Sequence, residues 1–333
     1  HNSDPVSTRE IERNNRVYTI QQNRNPFVDH PEWVNSIWNQ NPVVVVPEAP
    51  KNLSSSQTSA YFVNLNWSPS TDSTILGYKI YQNGIPVGYA KSTNFIADHL
   101  TPSTLYQFAV KAYYKDYTES AESNLLSIHT LDQDVYSKDL MITKYLEGSG
   151  DNKAIEIINK TGHAVDLNKY RLSIKFYNNT YNNYYFPAPY ELEGIVENNQ
   201  SFVILNPYSN FSCITNEQAR FVSAAPQMTF NGSNYIELRY VSTTIDAIGI
   251  RGQNNFEMLG DVSLYRSSAV VEPTSTFNLS EWQSYPVDYC DNIGVLSAAE
   301  ISADKKDQIF LYPNPVLGTK LFVKGTQLET IQR

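Results

Sequence analysis

Over most of its length the chain alternates apolar and polar residues. The runs YFVNLNW (61–67), GYKIYQNG (77–84), LYQFAVKAYY (105–114) and NLLSIHT (124–130) are short, apolar at every second position and bounded by turn residues. That spacing predicts an all-β sandwich. Asn83-Gly84 closes a predicted hairpin, because both residues accept the positive φ of its turn. A second β-rich region follows with LMITKYLEG (140–148), KAIEIIN (153–159), YRLSIKF (170–176), SFVILN (201–206) and YIELRYV (235–241). Two more strands flank a Pro turn in DQIFLYPNPVLGTKLFVKG (307–325).

The first 40 residues follow another period. Ile11, Val17, Tyr18 and Ile20 recur at roughly helical spacing, and Asp4 before Pro5 reads as the helix start. NRNP (23–26) breaks that helix, and a second is expected from Asp29 or His30, with Trp33, Val34, Ile37 and Trp38 on one side. NQNPVVVVPEAP (39–50) reads as an extended, semi-rigid linker that lets the flanking domains swing.

Composition sharpens this reading. A chain of 333 residues exceeds one ordinary core and implies two or three domains. Its 24 tyrosines suit half-buried pleated surfaces. A net charge of −9 argues against a strong non-specific grip on nucleic acid by the whole chain. No run approaches the ~18 apolar residues of a membrane-spanning helix. His1 opens without a leader or initiator Met, which reads as a start removed by processing or truncation. The two cysteines, Cys213 and Cys290, could pair outside the cell, but sequence does not set their distance.

The opening stretch resembles the C-terminal end of the bacterial endonuclease I family. Asp4-Pro5-Val6-Ser7, Glu12-Arg13-Asn14, Gln21, Asn23-Arg24-Asn25-Pro26-Phe27 and Asp29-His30-Pro31 match its closing pattern, while Gln22 replaces a family glycine. The resemblance implies a helical remnant of a ββα-metal nuclease, using a His base and one Mg²⁺ to drive water at a phosphodiester of DNA or RNA. Those catalytic residues lie upstream in the family, so none is expected in this chain. His1, His30, His99, His129 and His163 are scattered, and none sits in a metal-binding spacing. His30, beside Asp29 and Glu32, reads as a helix-start residue that caps and packs. Arg13, Arg16 and Arg24 are the candidate nucleic-acid contacts. Pairing along the helix, as Glu12 with Arg16, competes for the first two, and Arg24, in the turn, is the one kept.

Three further resemblances divide the remainder. Residues 51–132 resemble a fibronectin type III domain, with Trp67 in the core and Tyr106 in the LTPSTLY corner (100–106). Residues 138–296 resemble an immunoglobulin-like lamin-tail domain through YLEGSGDNKAIEIINKTGHAVDLNKYRL (145–172). Glu147, Asp151, Glu156 and Asp166 there invite comparison with a Ca²⁺ site, but their spacing fits no EF-type loop, and Glu156 reads as solvent-facing or cross-strand. Residues 307–333 resemble the start of a type IX secretion sorting domain through LYPNPV (311–316), which implies that machinery as a partner and an extracellular or outer-membrane-surface location. Tyr-rich 176–190 could stack on sugars or bases, or simply form an edge strand and loop.

The expectation is thus a mainly β, multidomain, monomeric chain: helices over 1–40, a linker over 41–50, two sandwiches and a truncated sorting signal. Its function is read as the accessory part of a secreted Mg²⁺-dependent endonuclease. The alternative is a non-catalytic surface adhesion or binding protein.

Overall fold

Helix α1 (Thr8–Gln21) starts where Ser7 and Glu10 can cap each other. The Glu10 N–H donates to Ser7 Oγ at 3.3 Å, and the Ser7 N–H donates to the Glu10 carboxylate at 2.7 Å. This capping box satisfies two amides at the helix start, so α1 begins at Thr8, not beside Asp4. The computed structural model describes residues 6–38, 47–72, 74–115, 117–178, 183–294, 310–312 and 322–324. Asp4 and Pro5 lie outside them, as do most of the linker and the turn of the C-terminal hairpin.

At its other end α1 stops at Gln22, which is left-handed at φ 57° and ψ 18°. That conformation favours glycine, yet a glutamine holds it here. The expected second helix is shortened, and an additional short helix precedes it. Asn25 caps α2 (Pro26–Asp29), whose first residue is a proline with no N–H to lose, and α3 (Trp33–Trp38) begins later than Asp29 or His30.

Seven strands follow: β1 (Lys51–Thr58), β2 (Val63–Ser68), β3 (Gly77–Gln82), β4 (Ile85–Ala90), β5 (Asn94–Ala97), β6 (Leu105–Tyr113) and β7 (Leu126–His129). They form a three-stranded sheet, β1-β2-β5, and a four-stranded sheet, β4-β3-β6-β7. Between them lie Leu65, Trp67, Tyr78, Ile80, Leu100, Tyr106, Phe108 and Val110, the alternate residues the pattern pointed inward. Asn83 and Gly84 adopt φ 52° and 77°, as the β3–β4 hairpin requires.

The helices pack on the sandwich that follows them. Residues 1–134 form one compact unit, with α1 lying along β4. Val6 and Ile11 bury themselves against Tyr113 and Tyr117, with Val28, Leu76 and Tyr89 around them. The predicted apolar stripe therefore divides: Ile11 is 1% exposed while Ile20 is 82% exposed.

The second unit spans 135–333. Its strands are β8 (Met141–Glu147), β9 (Lys153–Ile158), β10 (Val165–Asp166), β11 (Tyr170–Asn178), β12 (Asn183–Tyr185), β13 (Tyr190–Glu191), β14 (Ile195–Val196), β15 (Ser201–Leu205), β16 (Phe221–Val222), β17 (Tyr235–Tyr240), β18 (Thr243–Ile248), β19 (Val262–Arg266) and β20 (Trp282–Tyr285). A six-stranded sheet, β16-β15-β9-β8-β19-β20, faces β12-β11-β17-β18 across Ile142, Tyr145, Ile155, Ile157, Leu172, Ile174, Ile236 and Leu238. The Tyr-rich stretch 176–190 supplies the edge hairpin β11–β12, with Tyr185 and Phe186 exposed. A last hairpin pairs β21 (Phe310–Tyr312) with β22 (Phe322–Lys324), the two strands expected at the C-terminal end.

Candidate nucleic-acid interface

The dense motif of the opening stretch becomes a polar clasp between α1 and the turn after it. Asn14 projects from α1 into a site where it is 4% exposed. Its Oδ1 accepts from the Asn25 N–H at 2.7 Å, and its Nδ2 donates to the Asn25 carbonyl at 3.3 Å and to Asp29 at 3.1 Å. Arg24 donates both arms of its fork to Asp29, at 2.6 and 2.7 Å, and a third nitrogen to Asn15 at 2.5 Å. A bidentate arginine–carboxylate pair is geometrically specific. Four motif residues, Asn14, Arg24, Asn25 and Asp29, thus hold one another.

This bears on Arg24 as a phosphate contact. Its guanidinium is committed to Asp29, and its side chain is 18% exposed, so the structure gives it the task of holding the turn. Arg13 and Arg16 lie exposed on α1 and present their charge to solvent. His30 caps the end of α2 through its backbone, bonds Glu32 through Nδ1 at 2.9 Å and stacks on Trp33 at 4.6 Å between ring centroids. Burial pushes the Glu32 carboxyl above its usual range, opposed by its bonds to its own backbone and to His30.

Beneath the clasp lies a site that the strand pattern did not single out. Lys79 sits on the outward side of β3, yet its side chain is 2% exposed. It donates to Glu119 at 2.7 Å and to the main-chain carbonyl of Asp29. Tyr81 donates to the other Glu119 oxygen at 2.9 Å. Burial, then the Glu119 charge, hold the hydroxyls of Tyr81 and Tyr89 protonated well above the tyrosine range. The Tyr113 hydroxyl, pushed up to about 12, is shifted by burial first and by Tyr117 second. The available signal was a surplus of tyrosines on outward positions of β3, β4 and β6, which the alternation alone assigned to solvent.

The other candidate residues are placed separately. Trp67 is 5% exposed and packs edge-on to Tyr78 at 5.3 Å. The Tyr106 hydroxyl accepts from the Thr101 N–H at 3.0 Å and locks the sheet corner. Cys213 and Cys290 form a disulfide across 77 residues. The acids considered for Ca²⁺ are dispersed. Glu147 pairs with Lys153 at 2.9 Å, and Asp166 caps the turn at Asn168. Glu156 pairs with its cross-strand neighbour Lys144 at 2.8 Å and, at 3% exposed, does not face solvent. Among the described residues no group of three or more His, Cys, Asp or Glu side chains is placed to hold a metal ion.

The deepest ion pair lies in the same unit. Asp246 is 0% exposed and meets Arg266 at 2.7 Å, while the Arg266 fork also reaches Glu281 at 2.7 Å. Asp246 further accepts the N–H groups of Ile142 and Thr274, at 2.8 and 3.1 Å. Burial raises its carboxyl to about 6 against the lowering by Arg266 and these bonds.

Two family models match the chain, Endonuclease I over residues 1–32 and the fibronectin type III domain over residues 48–128. The chain is thus a mainly β, multidomain protein with a fibronectin type III module preceded by an Endonuclease I-like segment. An extracellular ribonuclease of Bacillus subtilis is 58% identical over 36 residues, which are 10% of this chain and 12% of that protein. Chitinase Chi52 of Paenibacillus xylanexedens is 38% identical over 90 residues, covering 27% of this chain and 17% of the enzyme. An alpha-amylase of Niallia circulans is 38% identical over 73 residues, 22% of this chain and 6% of that enzyme. The chain therefore spans only a small part of these relatives. The solution structure of a human fibronectin type III domain aligns at a TM-score of 0.25 and 20% identity, covering 28% of this chain and 94% of that one. No helix among the described residues is long and apolar enough to cross a membrane.

Proposed function

We propose that this chain is the closing segment and accessory region of a secreted endonuclease that hydrolyses phosphodiester bonds in extracellular DNA or RNA. The observation that carries the reading is the clasp. The Endonuclease I-like segment folds as a connected unit whose motif residues serve its own architecture, and it matches a nuclease family and an extracellular ribonuclease over that stretch. A helix pair so specifically built is the end of a larger domain. In this reading the general base and the Mg²⁺ ligands belong to the part of the domain that precedes the closing helices. The cation there would offset charge developing on the phosphorus centre. Residues 138–296 serve as a lamin-tail-type module and residues 307–333 as a type IX sorting signal in the same polypeptide. The polypeptide is proposed to act as a monomer.

Two measurements test the reading. Purified residues 1–333 should leave supercoiled plasmid intact in Mg²⁺, and EDTA-sensitive nicking by this chain would place the catalytic group inside it. Sequencing the encoding DNA upstream of His1 should reveal a domain with a His, Glu and Asn nuclease constellation. A start codon directly before His1 would overturn the nuclease reading in favour of an adhesion or binding protein.

A further inference from the structure

The closing helices have two unlike sides. One side, with Val6, Ile11 and Val28, is buried against the tyrosines of the fibronectin type III module. The Val6 N–H donates to the Tyr117 hydroxyl at 2.9 Å, and Tyr89 and Tyr113 stand edge-to-face at 5.3 Å beneath. Lys79 and Glu119, an ion pair with side chains 2% and 10% exposed, are closed over by the Asp29 carbonyl. A charge pair this dry is tolerable only while its remaining donors and acceptors are satisfied. Removing the helices would leave a Lys79 donor without its carbonyl and a row of tyrosines in water.

Away from that side some large apolar residues stand open. Ile20, on α1 opposite the buried Ile11, is 82% exposed, and Trp33 and Ile37, one turn apart on α3, are 47% and 58% exposed. Single exposed apolar residues are ordinary, but three large ones within eighteen residues of a short helical segment mark a surface that meets something. The match to the ribonuclease covers 12% of that protein, so most of a nuclease body remains to be accounted for.

Resting on the proposed nuclease reading, we infer that the fibronectin type III module is a fixed brace of the nuclease and not a tethered spacer. Its outward tyrosine face is a docking surface for α1 and α2, and the helical segment presents Ile20, Trp33 and Ile37 to the catalytic body of the same polypeptide. The module thereby holds the helices against the body from behind. Tyr81, Tyr89, Tyr113, Tyr117, Lys79 and Glu119 are its positioning residues; none of them takes part in the chemistry.

Hydrogen exchange on residues 1–333 tests the first face. The amides of α1 should be protected together with those of β4. Ile11→Asp should abolish protection in α1 while β2, β3 and β6 keep theirs. Unprotected α1 in the unaltered chain would overturn the inference. The second face is tested in the full parent polypeptide, where amides around Ile20 and Trp33 should exchange at least ~10-fold more slowly than in residues 1–333, since burial in a packed interface suppresses local opening. Equal rates would overturn that half. Tyr117→Asp, outside the Endonuclease I-like segment, should shorten the half-life of parental nuclease activity on heating several-fold and leave the rate at ambient temperature unchanged. An unchanged half-life would remove the brace while leaving the nuclease reading intact. A parent that never cuts nucleic acid would remove the nuclease reading while leaving the exchange result in place.

Discussion

The two sandwiches cover an outward sheet face by different means. In the first unit the face of β4-β3-β6-β7 is covered by α1 and α2, from a segment before the sandwich in the chain. In the second, the outward face of the six-stranded sheet is covered by the module's own loops. Phe211, Ile214, Ala219 and Ile293 pack on Leu146, Ala154, Val203 and Leu205, and the Cys213–Cys290 disulfide ties the covering loops together. Both covered faces carry a buried lysine–glutamate pair, Lys79–Glu119 in the first unit and Lys144–Glu156 in the second.

The difference between the two units lies in what holds the cover down. A covalent loop closure acts mainly on the unfolded chain, whereas a docked helix is held only by packing and polar contacts in the folded state. The expectation is that the first cover opens without unfolding the sandwich beneath it, and that the second does not.

The largest expected effect is on the core of the second unit. Arg266→Met leaves the Asp246 carboxyl, 0% exposed, without its counter-ion, and breaking a buried pair in this way costs about 4 kcal/mol. Calorimetry should show the transition of residues 135–333 falling and that of residues 1–134 unmoved. The same carboxyl sets a pH dependence. Its folded value, about 6, stands above the unfolded one, so the folded state holds the proton more tightly. Its contribution to stability is then fully present below the unfolded value and is lost as pH rises through about 6. The slope should vanish in Asp246→Asn, and a slope of the opposite sign would refute the assignment.

Next comes the covalent cover. Replacing Cys213 and Cys290 together by alanine reopens a 77-residue loop, which the chain-entropy argument values at about 4.5 kcal/mol as an upper bound. Denaturant titration should again report the loss in the second unit alone. A loss shared with the first unit would erase the contrast drawn above.

The docked cover should yield more locally. Ile11→Ala removes a side chain that is 1% exposed, for about 3 kcal/mol. Hydrogen exchange should place the loss in α1 and leave β6 protected. If β6 loosens equally, the helices and the sandwich are one cooperative unit and the cover is no more separable than that of the second unit. The smallest effect runs the other way. Gln22→Gly relieves a left-handed residue at φ 57° and should stabilise α1 by ~0.5–1 kcal/mol, visible as slower exchange at the end of the helix.

Much of this molecule follows from local pattern. The period of two in GYKIY and AIEII selected strands, Asn83-Gly84 selected a hairpin, and the LTPSTLY corner placed Tyr106 against its own backbone. These are legible because strand periodicity, turn chemistry and corner motifs act over a few residues. The helix start was misplaced for the same reason. Two valid capping signals, Asp4-Pro5 and Ser7-Glu10, lie close together in the chain, and nothing local ranks them.

What tertiary structure alone decided are the partners. Sequence left Cys213 and Cys290 open, because 77 residues of intervening chain do not set a distance. It left Arg24 free to meet a phosphate, because only the fold returns Asp29 to its fork. It read Glu156 as solvent-facing or cross-strand and said nothing of Lys79, and the fold buried both, one under loops and one under helices. Alternation states which side of a sheet a residue faces. Whether that side meets water depends on segments distant in the chain, and that is a property of packing.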